Sequence, residues 1–375
     1  MTSDFSLAAV EVGRMLDYFG GQGASDIHLA SGRGLWYVKD KATLPFDQMQ
    51  SMDPAIITQL INEFAHGGLD VYNKEWQADA TFDVGGEFRG RLAARKTLNG
   101  DTITIRIISR AIPTFQQLNL PASLVDLITR PAGLLLFTGQ TGSGKSTSIA
   151  ALVNHVNVNA SSSIYTLEDP IEYVYPAGKS LVNQREIGAH VTSFHEGLQN
   201  AKRSHPKIIV VGEIKDAETA RAAVDAAASG HLVVSTMHAG TTAEAIGSLI
   251  SMFPVDEQPL IRTQLSQVLL GVVVQALVPK IGGGLVMAQE IAFNTRPFAE
   301  MILGADEGAA GDMKLVQQYL LGGGKQERMV AMETSLTNLV ISGQITPETA
   351  RDVARDQRVI NDLLTTNGHL MNAKD

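Results

Sequence analysis

The chain of 375 residues contains no cysteine. Disulfides, thiolate metal sites and thiol catalysis are therefore excluded, and a reducing compartment is compatible. Aromatic residues are scarce, at 6%, with two tryptophans. There is no stripe of interleaved aromatic and basic residues of the kind that grips single-stranded nucleic acid. Positive charge is also in deficit: 30 Lys and Arg against 39 Asp and Glu, a formal net charge of −9. That argues against a coat for nucleic acid, though a local basic patch stays open. No apolar run reaches the ~18–20 residues of a membrane span. The longest, residues 265–278 (LSQVLLGVVVQALV), is short and carries two glutamines. The opening stretch MTSDFSLAAVEVGRMLDYFGG lacks a basic region followed by an apolar one, which predicts no signal peptide. Any membrane role is expected to be peripheral.

What is present is an ordinary globular composition, 44% hydrophobic and 18% charged. Residues 6–19 and 54–66 read as helices, and the segments GGQGASDIHLASG and LWYVKD as a turn with short strands. Residues 80–95 and 101–108 alternate as strands do. Residues 1–109 thus read as a small α+β domain. The stretch 110–122 comes next as a linker, with two prolines and little periodicity. From 123 to 375 helix and strand alternate. GLLLFTG, SIYTLED, KIIVVGE and LVVSTMH are the apolar runs of a buried parallel sheet, and SLVDLITR, KSTSIAALVNHVN and AETARAAVDAAASG are helices between them. The fold class is α/β, doubly wound and mostly parallel. Residues 256–278 and 329–365 read as helical, and 304–325 as a loop with a short helix.

The run Gly139-Gln140-Thr141-Gly142-Ser143-Gly144-Lys145-Ser146 fits G-x-x-x-x-G-K-[ST] throughout, after an apolar strand and before a helix. Glycines let successive backbone N–H groups turn inward around anionic oxygens, and the helix after them aims its positive end at the same place. Lys145 would reach the β and γ phosphates, Ser146 would bind Mg²⁺, and Thr147 completes the nucleotide-binding set. An ordinary glycine turn is the plain alternative.

A P-loop hydrolase needs a carboxylate at a neighbouring strand end. Glu213, closing IIVVGE, can polarise a water in line with the γ phosphate. Glu168, Asp169 and Glu172 cluster around Pro170; Glu168 comes directly off its strand and is chosen for the magnesium network. Plain solvated strand ends are the competing reading for both. His238 ends LVVSTMH and can sense the γ phosphate, although a lone histidine is more often a structural hydrogen-bonder. His190, His195 and His205 are too irregularly spaced for a metal site.

Taken together, TGQTGSGKST, YTLEDPIEY, LVNQREIG, IIVVGEIKDAETARAAVDAAASGHLVVSTMH and ASDIHLASG resemble the secretion and pilus ATPases, over roughly residues 22 to 345. Within that family the chain looks nearest the pilus-retraction (PilT-like) branch and the ATPases of type IVB secretion and conjugation (DotB- or TraJ-like). The resemblance implies a RecA-like P-loop domain behind a PAS-like N-terminal domain. It implies Glu168 as the leading acid of the Asp box, Glu213 as the catalytic glutamate, and His231 and His238 as the two His-box histidines. Arg91 and Arg106 match arginines that reach toward nucleotide phosphates; from the residues alone they read as a solvated face. Arg221 is either a further contact or a partner of Asp225. The resemblance also implies a homohexamer that hydrolyses Mg²⁺-ATP at the cytoplasmic face of the inner membrane. It would be held there by platform or secretion-complex proteins and would not bind nucleic acid directly. Hydrolysis would change the angle between the domains about the 110–121 stretch.

Three departures favour secretion or conjugation over retraction: Lys207 where retraction motors usually have an acid, His238-Ala239 in place of His-Thr, and NTRPFAEMILG in place of an AIRNLIRE-type segment. The absence of a tetracysteine site argues against the assembly branch. Two other readings stay open, a RecA-type nucleic-acid motor and a nucleotide-gated scaffold without turnover.

Overall fold

The computed structural model describes residues 7–39, 42–49, 51–65, 67–304 and 314–368. The chain divides into two compact units, Met1–Ile112 with Pro170–Val174, and Pro113–Asp169 with Tyr175–Asp375.

The first unit runs α1 (Leu7–Gly21), β1 (Asp26–Ala30), β2 (Trp36–Lys39), β3 (Ala42–Pro45), α2 (Pro54–Phe64), α3 (Gly68–Glu75), β4 (Gln77–Phe82), β5 (Phe88–Thr97) and β6 (Gly100–Ser109). Its strands lie in the order β3-β2-β1-β6-β5-β4, and every neighbouring pair is antiparallel. Helical spacing puts Val12, Leu16 and Phe19 on one stripe of α1, where they pack with Ile57, Leu60 and Ile61 of α2 against Ile27, Leu92, Ile103 and Ile105. The opposite sheet face keeps its polar residues, as a half-buried antiparallel sheet should. The expected strand over 80–95 is two strands, β4 and β5, parted at 83–87; α3 and β3 had no clear signal. Residues 170–174 join this unit, where Arg89 Nη1 donates to Ile171 O at 3.4 Å.

The second unit opens with α4 (Ala122–Ile128), β7 (Gly133–Thr138), α5 (Lys145–Asn159), β8 (Ser163–Glu168), β9 (Leu181–Glu186), α6 (Phe194–Arg203), β10 (Ile208–Val211), α7 (Ala217–Ala228) and β11 (Leu232–Met237). It continues with α8 (Thr242–Ser251), α9 (Gln258–Val268), β12 (Leu269–Pro279), β13 (Leu285–Phe293), α10 (Arg296–Leu303), α11 (Lys314–Leu321), α12 (Met332–Ile341), α13 (Pro347–Val353) and α14 (Gln357–Thr366). The sheet order is β13-β12-β7-β11-β10-β8-β9, parallel throughout except for the β12–β13 hairpin. Leu134, Leu136 and Val211 belong to one core cluster, with α6 to α9; Leu135, Phe137 and Val210 belong to another, with α4 and α5. Both faces are therefore covered, which is what continuous apolar strands require.

One expectation needs correction. The run 256–278 is not one helix: α9 ends at Val268, Leu269 is extended, and the β-branched run VVV continues as β12 beside β7. The β13 strand was not anticipated. The span 329–365 is three helices, interrupted at Gly343 (φ +67°) and at Ala354, which is extended. Of the 304–325 segment, the short helix is α11, and residues 305–313 lie outside the described residues. Residues 113–121 rest on the second unit's core: Leu120 is buried beside Leu124, and Phe115 meets the His155 ring edge-on at 5.2 Å.

Candidate functional site

Because β7, β11, β10 and β8 are adjacent and parallel, their carboxyl ends share one edge of the sheet. That edge collects the loop after Thr138, then His238, Glu213 and Glu168. Open α/β sheets bind ligands at this edge.

The loop is shaped by two glycines. Gly139 has φ +143°, and a Cβ there would stand 2.4 Å from the Gln275 carbonyl of β12, so no side chain fits. Gly144 (φ +91°) caps α5 without a side chain and leaves the first amides of that helix facing the loop. Gln140, Thr141, Gly142 and Ser146 are exposed, and Thr147 is half-buried on the first turn of α5. Lys145 is 8% exposed; its Nζ donates to Gly139 O at 2.7 Å and Gln140 O at 3.0 Å. The Ser143 hydroxyl is buried with no hydrogen-bond partner.

Strand exits are stitched to one another by hydroxyls. Thr138 Oγ1 donates to Ala239 O and accepts from Ala239 N, both at 2.8 Å. Thr236 Oγ1 donates to Gly212 O at 2.6 Å, and Ile214 N to Thr236 O at 3.0 Å. This holds the turns bearing Glu213 and His238 side by side. His238 Nε2 lies 3.4 Å from Glu213 Oε1, with both side chains partly open to solvent. Glu168 is oriented by Thr166 Oγ1 at 2.6 Å and Gln184 Nε2 at 3.1 Å, both donating to its Oε1.

Other predicted residues fall elsewhere. His231 precedes β11 and is buried at the opposite end of that strand from His238, about 20 Å away for six residues of strand. Its Nδ1 contacts Ala226 O at 3.2 Å. Arg221 does not pair with Asp225; its guanidinium lies over the Phe253 ring at 4.9 Å and bonds to Glu257 on the turn before α9. In the first unit, Arg91 and Arg106 are direct cross-strand partners on β5 and β6, on the polar face. The next residue in that row is Asp26, whose carboxylate receives Arg106 Nε at 3.2 Å and offsets the like-charge pair.

Sequence reasoning missed Thr138, Gln184 and Gln275. Gln275 left a signal, a polar side chain inside an apolar run. Its Nε2 donates to Ser148 Oγ of α5 at 2.9 Å.

The donor set fits a magnesium-bound triphosphate. A glycine-shaped cradle, an orphaned buried hydroxyl, a buried ammonium and an exposed Ser146 converge on the loop. Among the described residues no three His, Asp or Glu side chains gather for a metal. Magnesium shared with substrate phosphates needs no such cage, since it keeps most of its waters.

Residues 13–344 match the family described as "Type II/IV secretion system protein". The chain is 34% identical over 351 residues to the type IV pilus retraction ATPase PilT of Pseudomonas aeruginosa, covering 92% of this chain and 98% of that one. The chain belongs to the type II/IV secretion ATPase family, on its PilT-like branch. It is 33% identical over 324 residues to the protein YggR of Escherichia coli K12, covering 86% of this chain and 95% of that one. Among solved structures, the pilus retraction motor PilT with bound ADP superposes with TM-score 0.83 at 33% identity, covering 96% of this chain and all of that one. The ATPase DotB of Legionella pneumophila superposes with TM-score 0.78 at 25% identity, with 94% and 98% covered. A secretion ATPase therefore has its P-loop and acidic strand ends here on one sheet edge. Among the described residues no helix is long and apolar enough to cross a membrane.

Proposed function

We propose that this family member is the ATP-hydrolysing subunit of a homohexameric motor. It would drive a type IV pilus retraction machine or a related secretion machine from the cytoplasmic face of the inner membrane, through partner proteins. The observation that carries the reading is Glu213 beside His238, 3.4 Å apart, on the sheet edge that begins the Lys145 loop.

Glu213, partly exposed, accepts a proton from a water and aligns it with the γ phosphate. His238, with Nε2 beside that carboxylate, holds it in place. Lys145 exchanges its bonds to the Gly139 and Gln140 carbonyls for phosphate oxygens, in a site where its ammonium is largely shielded from water. Magnesium, when bound, spreads the charge of the phosphates, with Ser146 as ligand and Glu168 reaching its waters. Arg91 and Arg106 would supply further positive charge. The chain passes between the two units at 112–113, 169–170 and 174–175, and the last two crossings come just after Glu168. This supports an account in which loss of the γ phosphate moves the units as rigid bodies.

Likeness to PilT along nearly the whole chain favours retraction. Lys207, His238-Ala239 and the poor match at 294–304 favour a secretion machine as the second reading. The test is phosphate release by purified full-length chain with Mg²⁺-ATP, beside a Lys145→Ala control, with mass measured by light scattering. Turnover no faster than the control would leave a nucleotide receptor and end the motor reading.

A further inference from the structure

The loop that leaves β11 and carries His238 is tied at each of its next residues. Ala239 is bound by Thr138, as described. Gly240 N donates to Glu244 Oε2 at 2.7 Å, while Glu244 N donates to the Thr241 hydroxyl at 2.9 Å, a reciprocal cap on α8. Thr242, the first residue of α8, gives both its N–H (2.9 Å) and its hydroxyl (2.7 Å) to one oxygen of Glu290. Glu290 comes from the middle of β13 and is 2% exposed. A buried carboxylate needs a counter-charge. Arg355 supplies it, Nη1 to the other Glu290 oxygen at 2.5 Å.

Arg355 lies in the joint between α13 and α14, past residue 344 where the family match ends. Its own backbone is pinned as well: Arg355 N and Asp356 N both donate to Oε1 of Glu333, a fully buried residue of α12, at 3.3 Å. A continuous polar chain thus runs from the C-terminal helices through Glu290 to the His238 loop. Beside the ion pair lies a cavity of about 70 Å³, also lined by Val316, Gln317 and Leu320. It is roomy enough for water. Glu290 deprived of its arginine can therefore be hydrated in place while its hold on Thr242 slackens.

We infer that Arg355 is a positioning residue for hydrolysis, acting through Glu290 to fix the turn that sets His238 against Glu213. This rests on the ATPase reading above. The C-terminal helices act as an anchor for His238 and leave the nucleotide cradle to β7, β12 and α5.

The experiment uses the full chain with Arg355→Met and Arg355→Lys. Arg355→Met lowers kcat about tenfold with KM for Mg²⁺-ATP within about twofold, and Arg355→Lys restores most of the loss. Without nucleotide, amide exchange in Arg355→Met accelerates at 238–242 and is unchanged at 139–147. Parental kcat per folded molecule, or faster exchange confined to 332–366, overturns the inference. Should Arg355→Met not fold, the double variant Glu290→Leu/Arg355→Met removes both charges together with the acceptor for Thr242. It should show the same fall in kcat, and parental kcat there overturns the inference too. If the parent chain has no turnover, the ATPase reading fails, while the exchange data still decide whether Arg355 holds the loop.

Discussion

The two sheets present their side chains by opposite rules. In the first unit, β5 alternates between the core and the open face, so residues along the length of the strand are available to solvent. Arg91 is one of them, paired across the sheet with Arg106. In the second unit, β7, β10 and β11 are buried at every position. No residue inside them can meet a ligand, and the candidate site residues lie beyond the buried ends of the strands: Gly139, Glu213, His238. An antiparallel sheet with one covered face offers a surface; a parallel sheet with two covered faces offers only an edge.

The edge is where the largest effects are expected. Glu213→Gln should lower turnover by about 10²- to 10³-fold, as loss of a general base does, with ATP affinity close to the parent's. Lys145→Ala should lose both. Phosphate release and titration with a fluorescent nucleotide separate the two, and equal turnover in Glu213→Gln and the parent would break the assignment. Next come the buried strands themselves. Leu135→Ala removes a fully buried side chain from a strand packed on both sides, and should cost about 2–5 kcal/mol. On the open face, by contrast, Arg95→Ala breaks the exposed pair with Asp79 at 3.0 Å and the bonds from Nη1 to the Ala78 and Ala94 carbonyls at 3.2 and 2.7 Å, and should change stability by about 1 kcal/mol. Chemical denaturation of both variants tests the rule directly. Arg91→Ala sharpens it further: turnover should drop by about tenfold or more if its charge meets phosphate, while stability holds or rises slightly because a like-charge neighbour of Arg106 is gone.

A smaller effect belongs to the first unit alone. Burial, then the hydrogen bond to Asp101 at 2.9 Å, push the Tyr72 hydroxyl well above its usual pKa. The unfolded chain therefore loses this proton first as pH rises. The stabilisation is complete below the unfolded pKa of about 10 and falls away above it. Both tryptophans, Trp36 and Trp76, lie in the first unit, so their fluorescence tracks its unfolding separately. Urea midpoints read this way should decline from pH 9 to 11 in the parent and flatten in Tyr72→Phe.

Residues that answer to local rules were legible in the sequence. The glycine-rich loop needs a fixed spacing, and GLLLF, IIVV and LVVSTM could only be buried strands among helices, so the residue pattern alone was enough to put the loop and Glu213 on one edge. The features that escaped depend on distant partners. A short apolar run reads equally as helix or strand, and only pairing with β7 and β13 makes 269–279 a strand. Arg221 had a plausible partner four residues on and chose Glu257 instead, where the Phe253 ring also receives it. Glu290 and Arg355 lie 65 positions apart, and neither matches a motif.

Gly139 is pressed against a carbonyl that the chain supplies only at residue 275, although the P-loop motif itself is complete by Ser146. A nascent or truncated chain ending before β12 would hold all of the signature letters and yet lack the wall that shapes them. Affinity for nucleotide, if the loop provides it, would report that β12 has docked. Because such long-range closure is slow to form, the loop takes this shape only after β12 has paired with β7.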